Sequence, residues 1–238
     1  MSTDHPEILK LPTPIRCKIL KRVNRFKVKI ELDGRIEYAH INHTGRLREY
    51  LIRGKRGFCL RFEKPKKTKY RLFSIEVDGY GALIDTWIQG KAFERSIDLK
   101  LIPWLKGYRI IKRNVRLNRS IIDYLLRHGD EEVYLELKSA VQRIDGYASY
   151  PDAPSTRARK QLRDLIRYVE DGGRATIVFM IGLRDVMGFR PSKDVDPEIH
   201  QLLLRGLQIG LEIKAIGVYY DPSRSSIRLW NSDVKTLI

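Results

Sequence analysis

Two acidic residues and a lysine lie in predicted strands whose other residues are mostly apolar. Asp123 lies in the run 121–126, and Glu136 and Lys138 lie in the run 133–138. Side chains alternate between the two faces of a strand, so Glu136 and Lys138 point to the same face. If residues 127–130 turn the chain into an antiparallel hairpin, Asp123 comes beside them. Two carboxylates and an ammonium group on one face can bind a divalent cation and act on a phosphate.

This cluster predicts a metal site at Asp123 and Glu136, taking Mg²⁺ or Mn²⁺. Such cations prefer oxygen ligands, lower the pKa of a bound water and neutralise charge on a phosphodiester. Lys138 would orient the attacking water or stabilise the developing charge. The alternative is that Glu136 and Lys138 are solvated residues on an exposed sheet face. The apolar neighbours on both sides argue against that alternative.

The formal net charge of +17 favours a polyanionic partner, with nucleic acid as the first choice. Basic residues cluster within 16–29, within 64–71 and within 157–167. Such clusters neutralise phosphates and give salt-dependent affinity with little sequence preference. A solvated helix face explains the third cluster alone, but three clusters in one chain favour nucleic acid. The predicted contact residues are Lys18, Lys21, Arg22, Arg25, Lys27, Lys66, Lys67, Lys69, Tyr70, Arg157 and Lys160.

The first third of the chain has the pattern of a small β-barrel. Residues 25–32 and 35–41 alternate polar and apolar side chains, and Asp33 and Gly34 between them predict a tight hairpin turn. Short strands are also predicted at 57–62 and 70–77. Several short strands with regular turns are typical of an oligonucleotide-binding (OB) fold. We therefore expect a first domain over residues 1–80.

Residues 81–238 predict a second domain in which helices flank a mixed sheet. Helices are predicted at 91–99, from the capping segment 152–155 to Gly172, and at 197–210. Strands are predicted at 108–117, at the two runs of the acidic cluster, at 175–181 and at 212–220. The last strand is apolar enough to pair with a second copy in a dimer.

Apolar runs, cysteines, histidines and short motifs narrow the functional classes to which the protein can belong. No apolar run approaches the length of a transmembrane helix, and no signal-peptide core is visible near Met1, so we expect a cytoplasmic protein without a membrane partner. Cys17 and Cys59 are isolated and fit small buried side chains. His40 and His43 are more typical of a turn or a nucleic-acid contact than of a metal pair. No Walker loop, GxGxxG or GxSxG motif is present.

Six short segments have the order and spacing of a known family. They are Arg22–Phe26, His40–Gly45, Lys67–Tyr70, Asp123–Leu126, Leu135–Ser139 and Tyr150–Ala153. Together they resemble the sugar fermentation stimulation protein A family over most of the chain. The resemblance implies an OB-like barrel, then an α/β domain with a mixed central sheet similar to PD-(D/E)xK nucleases, and DNA binding as the shared activity.

The resemblance also implies roles for individual residues. Asp123 and Glu136 match the metal-binding acids, Lys138 the catalytic lysine, and Glu94 an acid contributed by the preceding helix. The chain departs from the family pattern at His43, where Asn is usual, and at Ile121, where Arg is common. Further departures are Ala158 and Gln161, where the family commonly has Gly and His. These departures leave the acids and the lysine intact.

The sequence therefore predicts a two-domain DNA-binding protein with a nuclease-like metal site. Three functional classes stay open at this point. A pure binding protein would retain DNA without cleaving it, and a metal-dependent nuclease would lose activity with EDTA. An RNA-binding or RNA-processing protein would prefer RNA in competition.

Overall fold

The computed structural model describes residues 4–64 and 67–238, and its contacts divide the chain into two compact units. The first unit contains the chain up to Arg95 together with Gly182–Asp185 and Gly217–Trp230. The second contains Ser96–Ile181, Val186–Ile216 and Asn231–Ile238. Two later segments thus return to the first unit, and the domain boundary at residue 80 stays a prediction.

Among the described residues before 100, seven strands and one helix form. They are β1 (Glu7–Lys10), β2 (Ile15–Asn24), β3 (Lys27–Leu32), β4 (Arg35–Ile41), β5 (Arg56–Arg61), β6 (Tyr70–Val77), β7 (Tyr80–Leu83) and α1 (Thr86–Asp98). Helix α1 begins five residues before the predicted position of 91, because the side chain of Asp85 accepts the backbone N–H of Ile88 and caps the first turn.

Five of these strands form the predicted barrel. They follow the order β4-β3-β2-β5-β6, and β4 also pairs in parallel with β6, which closes the barrel. The β3–β4 hairpin turns at Asp33 and Gly34, whose φ angles of 47° and 77° suit a tight two-residue turn. The interior of the barrel is filled by alternate apolar side chains, including Ile19, Val28, Ile30, Ile41 and Leu72.

The rest of the chain supplies nine strands and two α-helices. They are β8 (Arg109–Leu117), β9 (Ser120–His128), β10 (Glu131–Ala140), β11 (Gln142–Ile144), β12 (Tyr147–Tyr150), α2 (Thr156–Glu170), β13 (Arg174–Ile181), β14 (Phe189–Pro191), α3 (Pro197–Gln208), β15 (Glu212–Asp221) and β16 (Ser226–Asn231). Strand β15 starts in the second unit and ends in the first.

The sheet of the second unit is mixed, as predicted. Strands β8, β9 and β10 form an antiparallel meander, and β10 pairs in parallel with β13 after the crossover through α2. Strand β13 is buried along almost its whole length, which explains its unbroken apolar sequence. Helix α2 begins after Ser155, whose side chain accepts the N–H of Ala158, and it buries one apolar stripe.

Two further predictions concern partners of the whole chain. In the first unit β15 lies between β7 and β16, so that part of the strand has no free edge for the dimer contact considered from the sequence, and the oligomeric state stays a prediction. Within the described residues, no helix is long and apolar enough to cross a membrane.

Candidate functional site

The β9–β10 hairpin of the second unit brings the two predicted acids together. Its pairs run from His128 opposite Glu131 to Tyr124 opposite Leu135, and the next step in this register places Asp123 opposite Glu136. Residues directly opposite each other in an antiparallel pair project from the same face. The sequence placed these two carboxyl groups on one face, and the structure does the same.

Reciprocal hydrogen bonds hold the two carboxyl groups in place. The backbone N–H of Asp123 donates to Oε2 of Glu136 at 3.1 Å, and the N–H of Leu137 donates to Oδ2 of Asp123 at 2.8 Å. The regular strand pairing ends at Tyr124 opposite Leu135, and these two side-chain bonds lie just beyond it. The end of the hairpin therefore pairs through its acidic side chains, and both carboxylates are fixed with little freedom to rotate.

Lys138 completes the cluster from the same strand as Glu136. Its Nζ donates to Oε1 of Glu136 at 2.5 Å and to Oε1 of Gln161 at 2.8 Å. Gln161 lies on α2, and its amide donates to the carbonyl of Ile121 at 2.8 Å, which orients the amide oxygen toward the lysine. Glu136 and Lys138 are only 2% and 9% exposed, so the alternative of a solvated pair on an open sheet face is wrong.

Burial sets the protonation of the cluster. It raises the pKa of Asp123 and of Glu136 above the usual range, and the nearby ammonium of Lys138 opposes this only in part. Burial by itself would lower the pKa of Lys138, but attraction to Glu136 outweighs it and the pKa is raised. The ammonium group of Lys138 thus lies beside two carboxyl groups that are costly to ionise.

The donor set fits a divalent cation held mainly by water. Among the residues described, no group of three or more His, Cys, Asp or Glu side chains is placed to hold a metal. Asp123 and Glu136 supply two carboxylates, and Mg²⁺ is commonly bound in proteins by one or two carboxylates with several waters retained. A cation would also offset the cost of ionising half-buried Asp123 and buried Glu136. The predicted third acid, Glu94, belongs to the first unit, where it forms an ion pair with Lys91 at 3.1 Å; its role in the metal site stays a prediction.

Two polar residues near the cluster were not singled out as site residues from the sequence. Gln161 is polar within the buried stripe of α2, between Ala158 and Leu162, and that interruption was the available signal. Tyr150 is close enough to Lys138 and Glu136 to interact with both charges, and burial raises the pKa of its hydroxyl. Its distance in sequence from the hairpin gave no indication of this proximity.

Strand β8 presents basic residues on the same face as the acids. Arg116 pairs with Ile121 and Lys112 pairs with Leu125, and both partners share the face of Asp123 by alternation along β9. Arg113 pairs with Tyr124 and therefore lies on the opposite face. Lys112, Arg113 and Arg116 are all exposed.

Helix α2 carries two of the residues predicted to bind nucleic acid, Arg157 and Lys160. Both are exposed, and the charge of Arg157 acts on Asp123.

In the barrel, Arg22 has a structural position that the sequence did not indicate. Its guanidinium donates to the carbonyls of Asn24, Arg25, His43, Gly45 and Arg46, at distances of 2.5–3.2 Å. The side chain thus ties the β2–β3 turn to the loop after β4. Its predicted phosphate contact stays a prediction, while its donors are occupied by the backbone. His43 accepts the N–H of Gly45 at 3.0 Å, in agreement with the turn role.

The other basic residues predicted in the barrel lie at its surface. Lys18 is 3.5 Å from Glu31, and Lys69 is 3.8 Å from Glu37, both as exposed pairs that are worth little in stability. Arg25 lies over the ring of Phe26 and Lys27 over the ring of Tyr38, each within 5.4 Å. Lys21 and Lys67 are exposed and Tyr70 is half-buried; Lys66 lies outside the described residues.

Comparisons with known proteins agree with this architecture. The family model for the SfsA N-terminal OB domain matches residues 20–88, and the model for the sugar fermentation stimulation protein RE domain matches residues 88–224. A sugar fermentation stimulation protein homolog of Pyrococcus furiosus is 46% identical over 87% of this chain and 90% of its own length. The homolog of Archaeoglobus fulgidus is 40% identical over 98% of this chain and its own full length.

A solved structure has a fold similar to that of this chain. The structure of Pyrococcus furiosus SfsA in complex with Ca²⁺ covers 98% of this chain and 100% of its own chain, with 40% identity and a TM-score of 0.94. The order of a five-stranded OB barrel followed by a restriction endonuclease-like domain is therefore the fold of this protein. The chain belongs to the sugar fermentation stimulation protein A (SfsA) family.

Proposed function

We propose that this protein binds DNA through phosphate contacts, with little sequence preference, and holds a divalent cation on Asp123 and Glu136 against the bound backbone. The observation that carries the proposal is the pair of interlocked carboxyl groups, half-buried Asp123 and buried Glu136, with Lys138 beside them, in a chain of net charge +17. Acidic groups in a strongly basic protein would repel a polyanion unless a cation lay between them.

The nature of the cation is supported by chemistry and by a relative. Two carboxylates suit Mg²⁺ or Mn²⁺, and the related P. furiosus protein was solved in complex with Ca²⁺, another cation that prefers oxygen ligands. When bound, the cation would neutralise phosphate charge and lower the pKa of water. The exposed residues Lys112, Arg116, Arg157 and Lys160 would hold the flanking phosphates on the same side of the sheet or on the helix above it.

Cleavage of the phosphodiester is the second candidate, and Lys138 is the observation that favours it. Nζ of Lys138 lies 2.5 Å from Oε1 of Glu136, so its ammonium group would lie beside a phosphate bound at the cation. We therefore assign Lys138 to orienting the attacking water or to stabilising negative charge on the attacked phosphate. Gln161 would act as a positioning residue that fixes the ammonium group.

One experiment separates binding from cleavage. Purified wild-type protein is incubated with plasmid DNA, with and without Mn²⁺, and both retention and nicking are measured at several salt concentrations. Retention that weakens steeply with salt is expected whether or not cleavage occurs. If the protein is a nuclease, EDTA abolishes nicking, Asp123→Ala removes it, and Lys138→Ala lowers it by about 100-fold or more. RNA added as a competitor shows whether DNA is preferred.

The matched control is Glu132→Ala, which removes an acid of the same strand from an exposed ion pair with Arg127. This variant should nick like wild type. Equal nicking by Asp123→Ala and wild type would assign the activity to a contaminating nuclease. Absence of salt-sensitive retention by the wild-type protein would contradict the binding proposal itself.

A further inference from the structure

Trp87 in the first unit is a large aromatic side chain that the fold leaves open to solvent. It lies in the first turn of α1 and is 53% exposed. The other two tryptophans are half-buried and donate their indole N–H to backbone carbonyls, Trp104 to Ser232 at 2.8 Å and Trp230 to Leu183 at 2.7 Å. Those two contribute to packing, whereas Trp87 offers most of an aromatic surface to a partner.

A cation is fixed against the Trp87 ring. The guanidinium of Arg71 lies 4.8 Å from the centre of that ring and 5.2 Å from the ring of Phe62. Asp85, which is fully buried, has Oδ2 at 3.6 Å from Nε of Arg71, an ion pair without a hydrogen bond, and its Oδ1 caps α1 by accepting the N–H of Ile88 at 3.0 Å. One buried carboxylate therefore attracts the cation and caps the helix start that carries Trp87.

The same surface continues across the closing pair of barrel strands. His40 on β4 pairs with Arg71 on β6, and Phe26 stacks on His40 with a ring separation of 6.4 Å and an angle of 13°. Phe26 is 53% exposed, and Arg25 lies 5.4 Å from its ring. Phe26, His40, Arg71 and Trp87 thus form a row, which we call the aromatic row, with aromatic surfaces interleaved with cations.

We propose that the aromatic row binds unpaired bases of single-stranded nucleic acid, with Trp87 as a stacking platform. Every base has a flat aromatic face that stacks on an exposed ring whatever its sequence, and arginines beside the rings contact phosphates and add cation–π attraction. The paired bases of a duplex have their faces covered. The proposal rests on nucleic acid as the partner of this protein and adds the class of strand that the barrel takes.

Tryptophan fluorescence tests the stacking directly. The wild-type protein is titrated with a thymidine oligonucleotide, and the emission is expected to fall to a plateau as the base stacks on the exposed indole. Trp87→Ala should remove this quenching and weaken oligonucleotide binding by roughly 5- to 100-fold, the range measured for one base–aromatic contact. Trp87→Phe should recover much of the affinity, and affinity for a blunt duplex should change by less than about twofold in both variants.

Lys91→Gln is the control for charge, because Lys91 is a second cation near the Trp87 ring, at 5.9 Å. It should retain the quenching while its salt dependence becomes weaker. If Trp87→Ala lowers affinity for duplex and single strand equally, or if the oligonucleotide binds without quenching Trp87, the stacking platform does not exist while DNA binding survives. If wild type retains no nucleic acid of either form, this inference and the proposed function both fail. Melting temperatures of all variants show whether each is folded.

Discussion

Charged side chains are held in opposite ways in the hairpin of the second unit and on the surface of the barrel. Glu136 and Lys138 are buried, 2.5 Å apart and surrounded by hydrogen-bond partners. Lys18 and Lys69 reach their acidic partners at 3.5 Å or more, from positions open to water. A buried pair is fixed in one geometry, as chemistry on a phosphate requires. Cations exposed at the surface suit a partner whose sequence does not matter.

The largest expected effect comes from breaking the buried pair. Lys138→Met leaves Glu136 buried without its cation, and we expect the free energy of unfolding to fall by about 3 kcal/mol. Adding Glu136→Gln removes the isolated charge, so the double variant should recover part of that loss. Urea unfolding of the two variants and wild type measures both values. A loss below about 0.5 kcal/mol in the single variant would mean that this buried pair contributes no more to stability than the exposed pairs of the barrel.

Arg22 in the barrel donates to several acceptors, as Lys138 does in the hairpin, and it supplies the second prediction. Arg22 donates to five backbone carbonyls, so Arg22→Gln should lower the free energy of unfolding by about 2 kcal/mol. Its exposed neighbour provides the control, since Lys21→Gln should change stability by less than about 0.5 kcal/mol. If the two variants are equally stable and Arg22→Gln loses more DNA affinity, Arg22 binds phosphate rather than stabilising the fold.

These two regions also differ in how far the sequence could predict them. Charged residues inside apolar strands are unusual, so Asp123, Glu136 and Lys138 could be recognised from spacing and alternation alone. Nothing in the local sequence separates Arg22 from the other basic residues of 16–29, because its carbonyl partners include a loop some twenty residues away.

The barrel, the mixed sheet and most element positions followed from periodicity, but contacts between distant elements did not. Gln161 reaches Lys138 only because α2 crosses over the hairpin. The start of α1 was predicted too late, because Thr86, Trp87 and Ile88 are residue types that favour strands. Trp87 was therefore not recognised as part of the helix. The buried cap at Asp85 overrides that local preference.

The third prediction concerns the free energy needed to ionise Asp123 in the folded protein. Because burial raises the pKa of Asp123, the native carboxyl keeps its proton to a higher pH than the unfolded chain does. Stability contributed by that proton is complete below the usual aspartate pKa and is lost as pH rises through the raised native value. Asp123→Asn has no such proton to lose. In EDTA at neutral pH it should be more stable than wild type by about 1 kcal/mol.

Melting temperatures of both proteins between pH 3.5 and 7.5 give the measurement. The difference in favour of Asp123→Asn should grow with pH and then level off, and added Mn²⁺ should stabilise only the wild type. A difference that does not depend on pH would mean that Asp123 is ionised as easily in the folded protein as in the unfolded chain.

The smallest expected effect tests whether the face of the sheet, rather than net charge, decides DNA contact in the second unit. Arg116→Gln and Arg113→Gln each remove one exposed positive charge from β8, but only Arg116 shares the face of Asp123. We expect Arg116→Gln to reduce the slope of log affinity against log salt by about 0.9, as for one lost phosphate contact, and Arg113→Gln to leave the slope nearly unchanged. Edge strands also carry basic residues simply to prevent pairing with other chains, and that role requires no particular face. Equal slopes for the two variants would favour this second explanation and leave the phosphate contacts of the unit to α2.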